Sequence, residues 1–394
     1  MKGTLFSVLS GPGIGPRLPA RRLIRAALPC CGLLFVAGGP ARPAVPGHPP
    51  GKKTVVTFDV PGAGTGPATG TRPSNINAAG TIVGYYVDAE FVGHGFLRAA
   101  NGGFTDFDAA DAGTGNNQGT FGEGINTAGE VSGYYVDKNN VYHGLVYADG
   151  TISSFDAPDA GTGSGEGTFG IHINTKGSVV GGYTDDNKAN HGLVLSSAGD
   201  LTEFDVAGAG DGAAQGTFPI GINSRGTISG YYVDADGVAH GFVRTSKGKV
   251  TTIDIPGAGA NEGAGTVVRD IDTAGDVAGY YIDTSLTHHG FERAADGTVT
   301  TFDVAGAATG AGLGTYAFGI NNKGLVDGEW VDANRAAHGY QRAATGKITK
   351  FDAADAGTGD DQGTHPLGSP SQSGAITGFV LDDNNVNHGF FYAK

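Results

Sequence analysis

A single hairpin pattern recurs seven times along this chain, and it constrains the fold more than any other feature. One copy reads Gly133-Tyr134-Tyr135-Val136-Asp137, five further residues, then His143-Gly144-Leu145. The Asp and His members are Asp88/His94, Asp137/His143, Asp185/His191, Asp234/His240, Asp283/His289, Asp332/His338 and Asp382/His388. Each pair is six residues apart, and successive pairs lie 48 to 50 apart. Self-similarity at that period marks a solenoid, a propeller or an array. It overrides the two or three domains that a length of 394 residues would otherwise predict.

Each repeat contains four strand-like runs. In the copy above they are 119–126, 130–137, 143–147 and 152–156. The second run alternates, with Val131, Gly133 and Tyr135 on one face and Ser132, Tyr134 and Val136 on the other. That is strand period with aromatic and β-branched enrichment. Asn126-Thr127-Ala128-Gly129 and Ala148-Asp149-Gly150 are turns, with Gly free to take positive φ. No stretch keeps a helical period. The abundance of glycine, 72 residues, fits a turn-rich all-β chain.

The ends of the repeat region are out of phase. It opens on Thr54 to Asp59, a fourth-strand sequence with nothing before it, and closes on a third strand, His388 to Tyr392. Seating the first run on the last repeat would complete the set and hide both edges. The expectation is an all-β, seven-bladed β-propeller of four-stranded antiparallel blades, closed by the N-terminal strand joining the last blade. The fourth runs carry Phe-Asp, as in Phe107-Asp108 and Phe155-Asp156. The Phe is expected between adjacent blades, and the Asp on backbone amides of the Gly-rich loop that follows.

Residues 1–50 hold six of the 25 basic residues and no acid, leaving 19 bases against 39 acids in the remainder. So acidic a body argues against nucleic acid, whose binding needs Lys and Arg to displace counterions. A basic stretch from Arg17 to Arg25, a 12-residue apolar run from Ala26 to Ala37, and small residues after it form a secretory signal pattern, too short to span a bilayer. Both cysteines, Cys30 and Cys31, lie inside it, so a processed chain would hold no disulfide. The expected organisation is a signal peptide at 1–41, a Pro/Gly linker at 42–53 and the repeat domain at 54–394, secreted to the periplasm or the exterior as a monomer.

The pattern Gly-Ile-Asn-x-x-Gly, Gly-Tyr-Tyr-x-Asp, His-Gly-Phe resembles the HAF-type extracellular repeat of bacterial secreted proteins. The family's His-Ala-Phe reads His-Gly-Phe or His-Gly-Leu here. The resemblance covers 54–394 and implies secretion and a repeat architecture. It carries no catalytic residue over to this chain.

An Asp that ends one strand and a His that begins the next stand face to face across a hairpin. Such a pair can bind metal or act as an acid/base dyad. Seven equal copies point instead to a structural clasp, a hydrogen bond from His to Asp that fixes the hairpin, because fold devices repeat while function is grafted at one place. Asp234-Ala235-Asp236-Gly237, Asp185-Asp186-Asn187 and Asp382-Asp383-Asn384-Asn385 are fragments of calcium-like loops without a full set of oxygen ligands, and turn chemistry accounts for them. No other metal or cofactor is expected. His365 is assigned to the final Gly-rich loop, and Trp330, after Glu329, to the slot of the second Tyr.

The positions where the repeat breaks its own rule are the candidates for function. Two residues before the Ile of Gly-Ile-Asn vary between repeats, and they include Glu123, His172, Arg269 and Asp270. If the first strand is innermost, these four form a polar set near the axis and are the candidate ligand-binding residues. The reading is a non-enzymatic binding scaffold for a glycan or an extracellular protein. The alternative is a propeller enzyme acting on polysaccharide, for which those four groups would have to converge.

Overall fold

The computed structural model describes residues 54–393. The expected signal and linker, 1–41 and 42–53, lie outside the described residues. Among the described residues all regular structure is β: 28 strands in one hydrogen-bonded sheet. Each repeat supplies a first, second, third and fourth strand, as in Gly119–Ile125, Val131–Val136, Tyr142–Ala148 and Thr151–Phe155. Within a repeat they pair antiparallel in sequence order. The Asn of Gly-Ile-Asn makes the first turn: Asn77 Oδ1 accepts the amides of Ala79 and Thr81, and Gly80 takes φ +81°. The N-terminal strand Thr54–Phe58 pairs with Asn387–Ala393, Val55 opposite Tyr392.

The expectation of seven separate four-stranded blades is corrected. The opening of each third strand also pairs, in parallel, with the opening of the next repeat's first strand. Gly93 meets Gly119, Asn190 meets Gly216, Ala239 meets Gly265 and Asn387 meets Gly70. First, second and third strands thereby join into a closed barrel of 21 strands, and the fourth strands lie outside it on the third strands. Glycine makes the junction possible. At Gly216, with φ +111°, a β-carbon would fall 1.9 Å from the Asn190 carbonyl oxygen; at Gly119 it would fall 2.0 Å from that of Gly93. No side chain fits where two backbones meet this closely.

Each repeat builds its own core around the last residue of the His-Gly-Phe motif. Phe96, Leu145, Leu193, Phe242, Phe291, Tyr340 and Phe390 are all fully buried. The Gly before it has a packing reason too. At Gly95, Gly144 and Gly339 a β-carbon would lie 2.4–2.5 Å from the ring of the fourth-strand Phe. That ring also reaches the neighbouring repeat, as expected: Phe107 clusters with Val83 of its own repeat and with Ile125 and Val131 of the next.

Two polar links tie repeat to repeat. The first-strand Thr accepts the amide just beyond the preceding fourth strand: Thr217 Oγ1 from Val206 at 3.0 Å, Thr266 Oγ1 from Ile255 at 2.9 Å. The turn Asn donates Nδ2 to the carbonyl of its counterpart, Asn126 to Asn174, Asn174 to Asn223, and Asn223 to Asp272. Asp272 itself has no such N–H to pass on.

Candidate functional site

Each His of the repeat sits between two carboxylates. Its Nδ1 lies 2.8–3.1 Å from the fourth-strand Asp: His94 from Asp108, His240 from Asp254, His388 from Asp59. Its Nε2 faces the hairpin Asp at longer and variable range, 3.3 Å for Asp88/His94 and Asp234/His240, 3.6–4.0 Å for the other five. The fourth-strand Asp therefore meets an imidazole, where an amide of the following loop was expected; the Thr hydroxyl takes that amide instead.

The clasp expected across the hairpin is present in two repeats, where His94 Nε2 meets Asp88 Oδ2 and His240 Nε2 meets Asp234 Oδ2 at 3.3 Å, and is corrected in the other five. His191 is the clear case. Its Nε2 stands 3.6 Å from Asp185 Oδ2, too far for a hydrogen bond, while its Nδ1 is 3.0 Å from Asp205 Oδ2. His143, His289, His338 and His388 stand likewise, at 4.0, 3.6, 3.8 and 3.7 Å from Asp137, Asp283, Asp332 and Asp382. The fourth-strand Asp holds each ring by its Nδ1, and that anchoring leaves Nε2 short of the hairpin Asp. Asp185 Oδ2 takes the Asn187 side-chain amide instead, at 3.2 Å. The hairpin Asp still closes its own turn. Asp185 Oδ1 accepts the amides of Asn187 and Ala189, and Asp234 Oδ1 those of Asp236 and Val238. The second Tyr stacks on the imidazole, Tyr183 on His191 at 4.7 Å and Tyr232 on His240 at 4.9 Å. Trp330 occupies that slot in the sixth repeat, stacked on His338 at 4.2 Å. The Asp108 hydrogen bond raises the pKa of His94 against burial, and Asp59 does the same for His388.

The rule-breaking positions fall on a shared irregularity. In six of the seven first strands the register shifts at one place, and the bulged residues are Ser74, Glu123, Ile171, Ile220, Arg269 and Phe318. A bulge re-aims one side chain without breaking the ladder. The next positions read Asn75, Gly124, His172, Gly221, Asp270, Gly319 and Ser369, so side chains alternate with glycines from the first repeat to the seventh. The glycines make room: a β-carbon on Gly221 would lie 3.2 Å from Asp270 Oδ1.

Asp270 joins three repeats. Its Oδ1 accepts its neighbour Ile271's amide at 2.8 Å; its Oδ2 accepts Ile320's amide at 2.9 Å and the Ser369 hydroxyl at 2.7 Å. His172 feels the Asp270 charge, but burial dominates and lowers its pKa, and its Nδ1 is buried without a hydrogen-bond partner. Glu123 is set beside Arg72 and Ser74, and burial pushes its carboxyl up to about 8. Arg269 lies 5.5 Å from the Phe318 ring. Glu123, His172 and Asp270 are not hydrogen-bonded to one another. The convergence on one cleft that polysaccharide chemistry would need is not seen among these three.

His365, assigned above to a loop, lies in the strand Gly363–Leu367. Its Nδ1 is 2.9 Å from Glu329 Oε2 and its ring stacks on Phe379, which carries Arg72 at 4.1 Å on the same ring. In two other repeats aromatic residues fill both places, in the stack of Phe121 on Tyr134 and of Phe218 on Tyr231.

An open groove of about 520 Å³ lies between the first and second repeats, lined by Asp106, Asp108, Asp111, Tyr135, Tyr147 and Ser154. Phe107 and Tyr147 stack at 4.6 Å in its wall. The corresponding triplets elsewhere, such as Thr252/Asp254/Gly257 and Lys350/Asp352/Asp355, are not all acidic. Burial, then the Asp108 charge, raises the Asp106 pKa. The sequence held this signal in the three acids of 106–111, but only the fold brings Tyr135 and Tyr147 against them. No helix of the described residues is long and apolar enough to cross a membrane.

No protein-family model matches the chain, and no curated relative matches it. The resemblance to the HAF-type repeat therefore rests on its motifs alone. Solved structures resemble the chain at low sequence identity. The BP39L lectin from Burkholderia pseudomallei is 11% identical, with a TM-score of 0.53 over 81% of this chain and 94% of its own. AofleA from Arthrobotrys oligospora is 12% identical, covering 76% and 90%, with a TM-score of 0.44. The Aleuria aurantia lectin, described as a six-bladed β-propeller, is 10% identical, covering 81% and 89%, at 0.40. The first of these shows a propeller-like repeat fold and nothing more specific.

Proposed function

We propose that this protein is a secreted, non-enzymatic binding scaffold and that it takes neutral carbohydrate in the groove between its first and second repeats. The observation that carries the reading is the groove's chemistry. Three carboxylates offer paired acceptors for vicinal hydroxyls, and tyrosines offer apolar walls and a phenol. The volume suits a sugar or disaccharide. The same negative charge disfavours sulfated or uronic acid ligands. That BP39L is a lectin accords with this reading, and the N-terminal signal pattern accords with secretion. The test is a glycan array, followed by calorimetry on the best ligand. Asp106→Asn with Asp111→Asn should weaken a neutral ligand by about ten-fold or more, the loss of two charge-assisted hydrogen bonds. Unchanged binding in that variant would remove the groove as the site.

A second candidate surface is the axis. There Glu123 Oε1 and His172 Nδ1 are buried without hydrogen-bond partners, and buried polar atoms of that kind are uncommon unless water or a ligand meets them. Glu123→Gln and His172→Gln tested against the same ligand distinguish the axis from the groove.

A further inference from the structure

The groove between the first and second repeats has a counterpart between the fifth and sixth, built at the same register from different chemistry. Thr301 stands opposite Phe291 as Asp106 stands opposite Phe96, and Lys350 opposite Tyr340 as Ser154 opposite Leu145. Trp330 pairs with His338 as Tyr135 pairs with His143, and Arg342 with Val326 as Tyr147 with Val131. The stacking in the wall is kept. The Arg342 guanidinium lies 4.7 Å from the Phe302 ring, where Tyr147 lies on Phe107 at 4.6 Å. Gly306 replaces Asp111, and a β-carbon on it would come within 3.2 Å of the indole, so glycine makes room for the larger ring.

These replacements reverse the charge. Of the three acids in the first groove only Asp108 has an acidic counterpart, Asp303, and His289 holds it at 3.0 Å. Arg342 is paired with Glu292. Lys350 is exposed, and it reaches across the groove like a strap: its ammonium lies 4.1 Å from the centre of the Trp330 ring and donates to the Ala305 carbonyl. The indole also stacks on His338 at 4.2 Å, and its N–H has no hydrogen-bond partner. For an exposed ammonium a ring face and one carbonyl are weak partners, and a carboxylate offers a stronger, charge-assisted one.

We propose that the groove between the fifth and sixth repeats is a second carbohydrate site, selective for a sugar acid. The ligand's carboxylate draws the Lys350 ammonium off the indole, and the pyranose ring takes its place on the uncovered face of Trp330. Lys350 is thus both a ligand-binding group and the cover of the site when no acidic sugar is present. A rigid pyranose carrying a carboxylate offers the flat apolar face and the charge together, which a peptide carboxylate does not. The carbohydrate class rests on the reading of the first groove, but the residues are different ones, and the carboxylates of the first groove disfavour this ligand.

Trp330 is the one tryptophan of the chain, so its fluorescence reports on this groove. Titration of the full chain with a galacturonate trimer should shift that emission to saturation, while the neutral galactose trimer of the same linkage leaves it unchanged. Lys350→Gln, at an exposed position, should weaken the galacturonate by about ten-fold or more with circular dichroism unchanged. Added salt should weaken binding to the parent. Asp106→Asn with Asp111→Asn should leave the Trp330 response as it is. An equal response to the neutral trimer, or unchanged affinity in Lys350→Gln, would overturn the proposal, and an equal response to triglutamate would overturn the sugar assignment. So would an emission that millimolar galacturonate trimer does not move; neutral-sugar binding that persists by calorimetry in that case would leave the first groove standing, so the two readings fail separately.

Discussion

Gly216 sits with its α-carbon against the backbone carbonyl of Asn190, and a β-carbon there would fall 1.9 Å from the oxygen. This contact, repeated at each junction, turns a row of hairpin units into one barrel. Gly216→Ala should therefore destabilise the domain by more than about 2 kcal/mol, combining backbone strain at positive φ with a clash no rotamer relieves. Gly129 is the control: its φ is +91° but no atom lies within 4 Å of an added β-carbon. Gly129→Ala should cost only about 1 kcal/mol. Urea unfolding of the two variants measures the difference, and equal losses would mean that the close approach contributes nothing.

The Asp–His pairs are predicted to act on stability. Asp283→Ala removes the acceptor for the amides of Ser285 and Thr287 as well as the carboxylate facing His289. The expected loss is about 1–2 kcal/mol, mostly from the turn amides, because the ion pair is partly exposed. Asp303→Asn touches only the exposed partner of His289 and should cost less than about 1 kcal/mol. Thermal unfolding orders the two; the reverse order would assign the stabilisation to the ion pair.

Asp272 interrupts the succession of Asn side chains that links each first turn to the next. Asn223 donates to the Asp272 carbonyl, and Asn321 donates to the Ser371 carbonyl, but the Asp272 side chain carries no N–H. Asp272→Asn keeps the oxygen that accepts the amides of Gly275 and Asp276 and supplies the missing donor. It should stabilise by about 1 kcal/mol. Asn174→Ala, which deletes both the turn acceptor and the link to Asn223, should cost about 2 kcal/mol. Guanidinium midpoints of both variants check the pair of opposite signs.

Glu123 gives a pH dependence. Burial holds its proton to about pH 8 in the folded chain, against an ordinary value of 4.5. Between those values the folded state binds more protons than the unfolded one, so this group's contribution to stability falls as pH rises through that window. The limiting slope is about 1.4 kcal/mol per pH unit. Glu123→Gln should flatten the stability profile between pH 4.5 and 8, measured as the urea midpoint against pH. An unchanged profile would place the titration elsewhere.

The strand order was legible in the sequence because alternation at Val131–Val136 and turns at Asn126 and Gly150 are local signals. The union of the repeats was not. Gly216 reads as one more turn glycine among many, and nothing near it in sequence announces that Asn190 lies against it. The fourth-strand Asp was misplaced for a similar reason. A carboxylate before a Gly-rich loop has two eligible donors, a nearby amide and a distant imidazole, and only the third-strand register puts His94 within reach of Asp108. The same register explains His191: six residues from Asp185 it reads as that residue's partner, yet its Nδ1 pairs with Asp205, 14 residues on. At the axis, the variable positions of Glu123 and Arg269 were visible, but their shared bulge was not, since a one-residue register shift leaves no mark in composition. His365 went to a loop because its neighbours are Gly, Thr and Pro.

The pairing of Val55 with Tyr392 sets an order of assembly. Local hairpins can form as the chain emerges, but the last sheet lacks its outer strand until the far end has arrived. Loop-closure entropy makes that step the slowest contact to establish. Until then the growing structure carries open strand edges on both flanks, where another chain could add. Ring closure is thus a timing device: the molecule stays unfinished until its final strand is delivered.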